Sequence, residues 1–179
     1  KKDAGQIPMA GYADLMRFAL LEHYGGTWID STVYLTDPIP DMILNSDFFA
    51  VRNSLLLIDN PVLYPAWFLH AKKENNTIRE IRNVAFAYWL KNEHVIEYLL
   101  PNLIITLVVK SNSEVEQAIP YMNSDYSEYL VKVLADDYSE EKWNWIKKLT
   151  GIHKLTYKLE TAINRKDSFY QHIIAEKNK

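Results

Sequence analysis

Asp14 and Arg17 stand three residues apart in the segment Tyr12–Tyr24, a spacing that puts both on one face of a helix. The segment is otherwise largely apolar, and a charge there must be paired or put to use. Gly25-Gly26 follows directly, where backbone can approach a neighbour closely. Asp30 comes next, after the short apolar run Thr27-Trp28-Ile29. An acid at the end of a buried strand stands where open α/β sheets bind ligands. Carboxylates accept hydrogen bonds from sugar hydroxyls, and guanidinium donates to hydroxyls or phosphate. Asp14, Arg17 and Asp30, aimed at one cleft, would bind a polyol. The plainer alternative makes Asp14–Arg17 an i,i+3 ion pair of little energetic worth and Asp30 a turn former. A metal-dependent hydrolase using Asp14 and Asp30 is the weakest option, because no histidine–carboxylate cluster accompanies them.

The elements that would carry these residues are legible in part. Ala13, Met16, Ala19 and Leu20 recur at helical spacing, with Leu15 and Leu21 widening the stripe. Gly25 is expected to stop this helix in the left-handed region. Thr27–Ile29 predicts a buried strand, Val33–Leu35 a second, Asp47–Val51 a third and Ala66–Leu69 a fourth. Thr77 and Glu80 have capping-box spacing ahead of a helix. Val95–Val109 predicts a helix bent or split at Pro101. Asn112 or Ser113, Asp125 with Glu128, and Ser139 with Glu140 and Glu141 are further helix starts. His153–Leu159 alternates like a strand, and Asp167–Lys177 predicts a terminal helix. The class is α/β, with strands early and helices late. A buried apolar strand so near the start suggests a parallel sheet whose neighbours lie upstream.

Composition narrows the classes. The chain has 179 residues, suited to one domain, with 48% apolar and 24% charged residues, which excludes disorder as the main state. There is no cysteine, hence no disulfide framework and no thiolate zinc site. A net charge of −3 argues against a dedicated nucleic-acid binder. The charge is uneven: residues 147–179 hold eight lysines and arginines against three acids. Such a basic tail suits a polyanion or a membrane surface, or simply a solvated helix face. No stretch is long and apolar enough to span a bilayer, and Lys1–Gly5 opens no secretory signal, so the chain reads as soluble.

Taken together, Ala13-Asp14-Leu15-Met16-Arg17, Tyr24-Gly25-Gly26 and Trp28-Ile29-Asp30-Ser31-Thr32 resemble the capsular polysaccharide synthesis proteins, a group of bacterial glycosyltransferases. The pattern is also similar to mannan-type glycosyltransferases and the clostridial glucosylating toxins. Val33–Pro38, Trp67 and Ile152-His153-Lys154-Leu155-Thr156-Tyr157-Lys158 extend the likeness to the capsular group. The resemblance implies a GT-A-like nucleotide-sugar transferase fold and transfer of a hexose to a glycan or lipid-linked glycan acceptor. It implies that Asp14 and Arg17 hold the donor sugar, with Gly25, Gly26, Trp28 and Thr32 beside it. Asp30 would take the place of the first acid of a D-x-D motif, as catalytic residue and metal ligand. His153 would reach a divalent cation (Mn²⁺ or Mg²⁺) or the diphosphate, its plainer reading being an ordinary surface histidine. Lys154 and Lys158 would neutralise the leaving group. Thr32 departs from the pattern, because many relatives carry a second, metal-binding Asp there, and its loss weakens a hard-cation site.

Relatives of this kind carry a nucleotide-binding half ahead of the first helix. The expectation is therefore a single domain over 1–179, the C-terminal, helix-rich portion of a GT-A-like domain truncated at its N-terminus. Alone it would be nearly inactive and prone to self-association. The implied location is cytoplasmic, peripheral at the inner face of a bacterial membrane. The rival of another class is a non-catalytic carbohydrate-binding or assembly module that keeps the sugar contacts.

Overall fold

Proline and glycine set the first boundaries. In the computed structural model, which describes residues 7–54 and 61–177, Pro8 precedes helix α1 (Met9–Tyr24) and Gly25 ends it. Along the chain follow strands β1 (Gly26–Ile29) and β2 (Val33–Leu35), helix α2 (Asp41–Leu44), and strands β3 (Phe48–Ala50) and β4 (Phe68–Ala71). Helices α3 (Asn76–Lys91), α4 (Leu100–Ser111) and α5 (Ser113–Ala118) come next. The C-terminal part adds α6 (Ser124–Ser127), α7 (Tyr129–Lys132), α8 (Glu140–Leu149), β5 (Ile152–Lys154), α9 (Glu160–Ile163) and α10 (Phe169–Lys177). The class is mixed α/β. The chain forms two units, Lys1–Ile29 with Pro40–Met122, and Asp30–Ile39 with Asn123–Lys179.

In the first unit the strands lie in the order β1-β4-β3, all antiparallel. Trp28 pairs with Leu69, and Leu69 on its other side with Ala50. This corrects the expectation of a parallel sheet. Every residue of β3 and β4 is buried, so these strands lack alternation. An unbroken apolar run reports burial on both faces and says nothing of strand direction. The core gathers Phe18 and Leu21 of α1, Leu69 of β4, Ile78 and Ile81 of α3, and Ile105 and Val109 of α4. Full burial of each such side chain is worth roughly 1.5–3 kcal/mol.

Helix α1 faces differently from its sequence stripe. Leu15, Arg17, Phe18 and Leu21 are buried, whereas Met16 and Leu20 are exposed. The helix is apolar nearly all round, and the packing of α3 selects which side is covered. Glu22 fixes that packing by pairing with Arg79 at 3.2 Å and Arg82 at 2.8 Å, two guanidiniums one turn apart on α3. Helix α3 begins earlier than the capping-box spacing suggests. Its N-cap is Asn75, whose side chain accepts from the Ile78 N–H, and Thr77 is buried inside the helix. Pro101 does not bend a helix; it lies in the first turn of α4, where its missing N–H costs nothing.

In the second unit β2 and β5 form an antiparallel pair that aligns Val33 with Lys154, Tyr34 with His153 and Leu35 with Ile152. Leu130, Trp143, Ile146, Phe169 and Ile173 form its core. Ser139 caps α8 as its position suggests, and Glu140 and Glu141 occupy the first turn. Lys147 and Lys148 fall in the last turn of α8, where cations complement the helix dipole. Two of the basic residues of the tail thus have a local structural role. Arg165 pairs with Asp137 at 2.9 Å. The side chain of Lys177, and Lys179 with the N-terminal Lys1–Gly5, lie outside the described residues. The alternation of His153–Leu159 yields only a three-residue strand, β5. No helix of the described residues is long and apolar enough to cross a membrane.

Candidate functional site

Arg17 is almost wholly buried, at 8% exposure. A guanidinium cannot shed its charge, so each contact matters. One donor reaches the Ala66 carbonyl at 2.6 Å, another lies 3.3 Å from the Asp14 carboxylate, and the group stands 5.0 Å from the centre of the Trp28 ring. The loop bearing Ala66 is itself pinned to α4: Asn102 accepts from the Ala66 N–H at 2.9 Å, and Thr106 accepts from the N–H groups of Leu63 and Tyr64. Arg17, Asp14 and Trp28 are therefore brought together by α1, β1 and a loop held by side chains of α4. Asp14 also lines a cavity of about 250 Å³ with Phe18, Trp89, Tyr98, Leu100 and Ile104.

Gly25 and Gly26 join α1 to β1. Gly25 has φ +70° and ψ −168°, and its N–H caps α1 on the Leu21 carbonyl. This is not the left-handed cap expected; it is an extended conformation at positive φ that is essentially confined to glycine. A Cβ at Gly25 would also meet the Lys73 backbone nitrogen at 2.5 Å, whereas Gly26, at φ +97°, has open space. The pair therefore performs two separate tasks, a close backbone approach and a turn into the strand. Inside the sheet, Thr27 bonds His70 at 2.8 Å. Burial, with Lys72 nearby, holds the His70 pKa below its ordinary value.

The second group lies in the other unit. Asp30 opens a turn, its carbonyl accepting from the Val33 N–H at 2.9 Å. The turn former of the plainer reading is thus present. It also does more. Lys154, on β5 opposite Val33, extends its ammonium group to the Asp30 carboxylate at 3.3 Å and to the Thr32 hydroxyl. The Leu155 N–H bonds the Thr32 carbonyl at 2.7 Å, which fixes the register. Thr32, with Ser31, Tyr34, Thr156 and Tyr170, lines a cavity of about 250 Å³. Lys158 is exposed in the loop after β5, and its N–H bonds the Thr156 hydroxyl.

His153 is not a surface histidine. It is fully buried beside Tyr34 and Trp143, with Nε2 3.1 Å from the Thr36 hydroxyl. Burial pushes its pKa down to about 4, against the opposing pull of Asp37. The ring is therefore neutral at pH 7.

The sequence reading missed Glu128 as part of this neighbourhood. It is half-buried after α6, and burial raises its pKa, with Lys132 and Lys154 pulling it down and Asp125 pushing it up. Its field from Lys154 spans 26 positions, so no local spacing could signal it.

A divalent cation does not fit these residues as they stand. The Asp30 carboxylate and the Thr32 hydroxyl already face an ammonium group, and a metal ion there would be repelled by like charge. The His153 imidazole is enclosed in the core. Among the described residues no group of three or more histidine or carboxylate side chains is placed to hold a metal ion.

A comparison with curated proteins gave no match. A family model described as capsular polysaccharide synthesis protein matches residues 1–173, nearly the whole chain. With its helix–Gly-Gly–strand segment and its late strand both inside that match, the chain belongs to the capsular polysaccharide synthesis protein family.

Proposed function

We propose that the chain is a glycosyltransferase, part of a GT-A-like domain, that moves a hexose from a nucleotide-sugar donor to a glycan or lipid-linked glycan acceptor in capsule or exopolysaccharide synthesis. The observation that carries this is Asp14, a carboxylate fixed by a buried guanidinium at the wall of a cavity that Trp89 and Tyr98 also line. Sugar rings offer hydroxyls to such a carboxylate and C–H faces to such rings. Membership of a capsule-synthesis family makes a sugar the natural occupant.

In the reaction the bond from the anomeric carbon to the diphosphate oxygen breaks, and its electron pair leaves with the diphosphate. The acceptor hydroxyl oxygen bonds to the anomeric carbon, and its proton passes to water or to the departing phosphate. Asp14, held in place by Arg17, orients the sugar. The work would take place at the cytoplasmic face of the membrane, where nucleotide sugars and lipid-linked acceptors meet.

The test is release of nucleoside diphosphate from uridine- and guanosine-diphosphate hexoses by the full-length protein with a capsular oligosaccharide. Asp14→Asn should slow release about a hundredfold, beyond what the fall in melting temperature from removing the Arg17 partner accounts for. Wild-type turnover in that variant would reject the reading. Thr32, standing where a second acid is common, favours one alternative, a carbohydrate-binding or assembly module. Oligosaccharide binding without any nucleotide release would assign the chain to it.

A further inference from the structure

The Asp30 turn holds a cation that belongs to the protein. Lys154 has three ammonium donors. Two are directed at the Asp30 carboxylate and the Thr32 hydroxyl, and the group is about a quarter exposed, with side-chain accessibility of 23%. Among the described residues the third donor meets no partner. Backbone pairing sets the position: β5 aligns Lys154 with Val33, one residue beyond Thr32. The ammonium is thus placed by two strands and two side chains. Most surface lysines move freely on four-carbon stems.

Thr32, which accepts from Lys154, also lines the hydroxyl-bearing cavity with Ser31, Thr156 and Tyr170. A cation held on a hydroxyl that itself lines a cavity suits an anionic, oxygen-rich group. The carboxylate that could otherwise recruit a divalent cation is occupied by this ammonium.

Resting on the transferase reading above, we propose that Lys154 takes the place of the metal ion. Anchored by Asp30 and Thr32, it binds the diphosphate of the donor directly, and donor binding requires no divalent cation. Asp30 then acts as a positioning residue for the lysine.

The probe is inorganic pyrophosphate, which carries the shared chemistry of any nucleoside diphosphate without its base or sugar. Calorimetry on the full-length protein should give the same affinity in chelator as with Mn²⁺ or Mg²⁺. Lys154→Gln should weaken binding in chelator by roughly ten- to a hundredfold, the range of a hydrogen bond to a charged group. Lys154→Arg, which restores a cation, should recover most of that loss, and unchanged melting temperatures would show that both variants fold. Pyrophosphate binding that demands a divalent cation, or equal binding by wild type and Lys154→Gln, overturns the proposal.

Turnover of nucleotide sugars separates it from the reading it rests on. Turnover that requires metal rejects the role of Lys154 and leaves glycosyl transfer standing. Metal-free, Lys154-dependent pyrophosphate binding without turnover of any nucleotide sugar supports the anion site and rejects glycosyl transfer.

Discussion

Two acid–base pairs of equal length sit in very different settings. Asp14–Arg17 and Asp30–Lys154 are each 3.3 Å apart. The first joins neighbours on one helix, with a base nearly enclosed by Trp28, the Ala66 carbonyl and the apolar core. The second joins residues 124 positions apart, on a turn and a short strand, both partly open to solvent. Distance alone therefore says little about what a pair does. Burial makes Arg17 structural, since it cannot be removed without losing the contacts that enclose it. Exposure makes Lys154 available, since it gives up little when a ligand draws on it.

The largest expected effect tests the buried side. Arg17→Ala should lower stability by roughly 3 kcal/mol in urea unfolding, because it removes the ion pair with Asp14, the hydrogen bond to the Ala66 carbonyl and the packing on Trp28. Arg17→Lys should recover only part, lacking the planar fork and the ring stack. A loss near zero would erase the contrast with Lys154.

Next comes acid sensitivity of the second unit. His153 has a folded pKa of about 4 against an ordinary 6.5. Between those values the unfolded chain binds a proton that the folded chain refuses, so stability rises with pH. The contribution is fully present above pH 6.5 and is lost as pH falls towards 4, by about 3 kcal/mol in all. His153→Gln should flatten this slope in urea melts taken across that range. His70 contributes with the same sign in the first unit, its pKa being lowered by burial and by Lys72. A stability unchanged from pH 7 to 4 in the wild type would refute the burial argument.

Trp28→Leu should cost about 1 kcal/mol through the lost guanidinium–ring contact. It should leave Lys154-dependent pyrophosphate affinity unaltered. If it abolished that affinity, the two groups would not act separately. The smallest expected effect is on the exposed side: Lys154→Ala should change stability by about 1 kcal/mol or less. A double-mutant cycle with Asp30→Asn would measure the coupling. A value as large as the Arg17 effect would show that Lys154 is structural after all.

Local signals were legible wherever they acted within a few residues. The i,i+3 spacing located the Asp14–Arg17 pair, the double glycine marked the end of α1, and Ser139 and Asn112 capped the helices that follow them. Spacing failed where a neighbour distant in sequence decided the outcome. Met16 and Leu20 have the same apolar character as Phe18 and Leu21, and only the placement of α3 separates them. Asn75, with a free carboxamide, outcompeted Thr77 for the N-cap of α3. His153 looked like any lone histidine until β2 and α8 enclosed it with Tyr34 and Trp143.

The sequence by itself determined the mixed class, the helix–Gly-Gly–strand segment and the family to which the chain belongs, because those features are written in neighbouring side chains. The tertiary structure alone decided strand direction, the burial of Arg17 and His153, and the partnership of Asp30 with Lys154. Each of these depends on which segments meet, and that is set by the competition of all apolar surfaces for burial, a sum no local window contains.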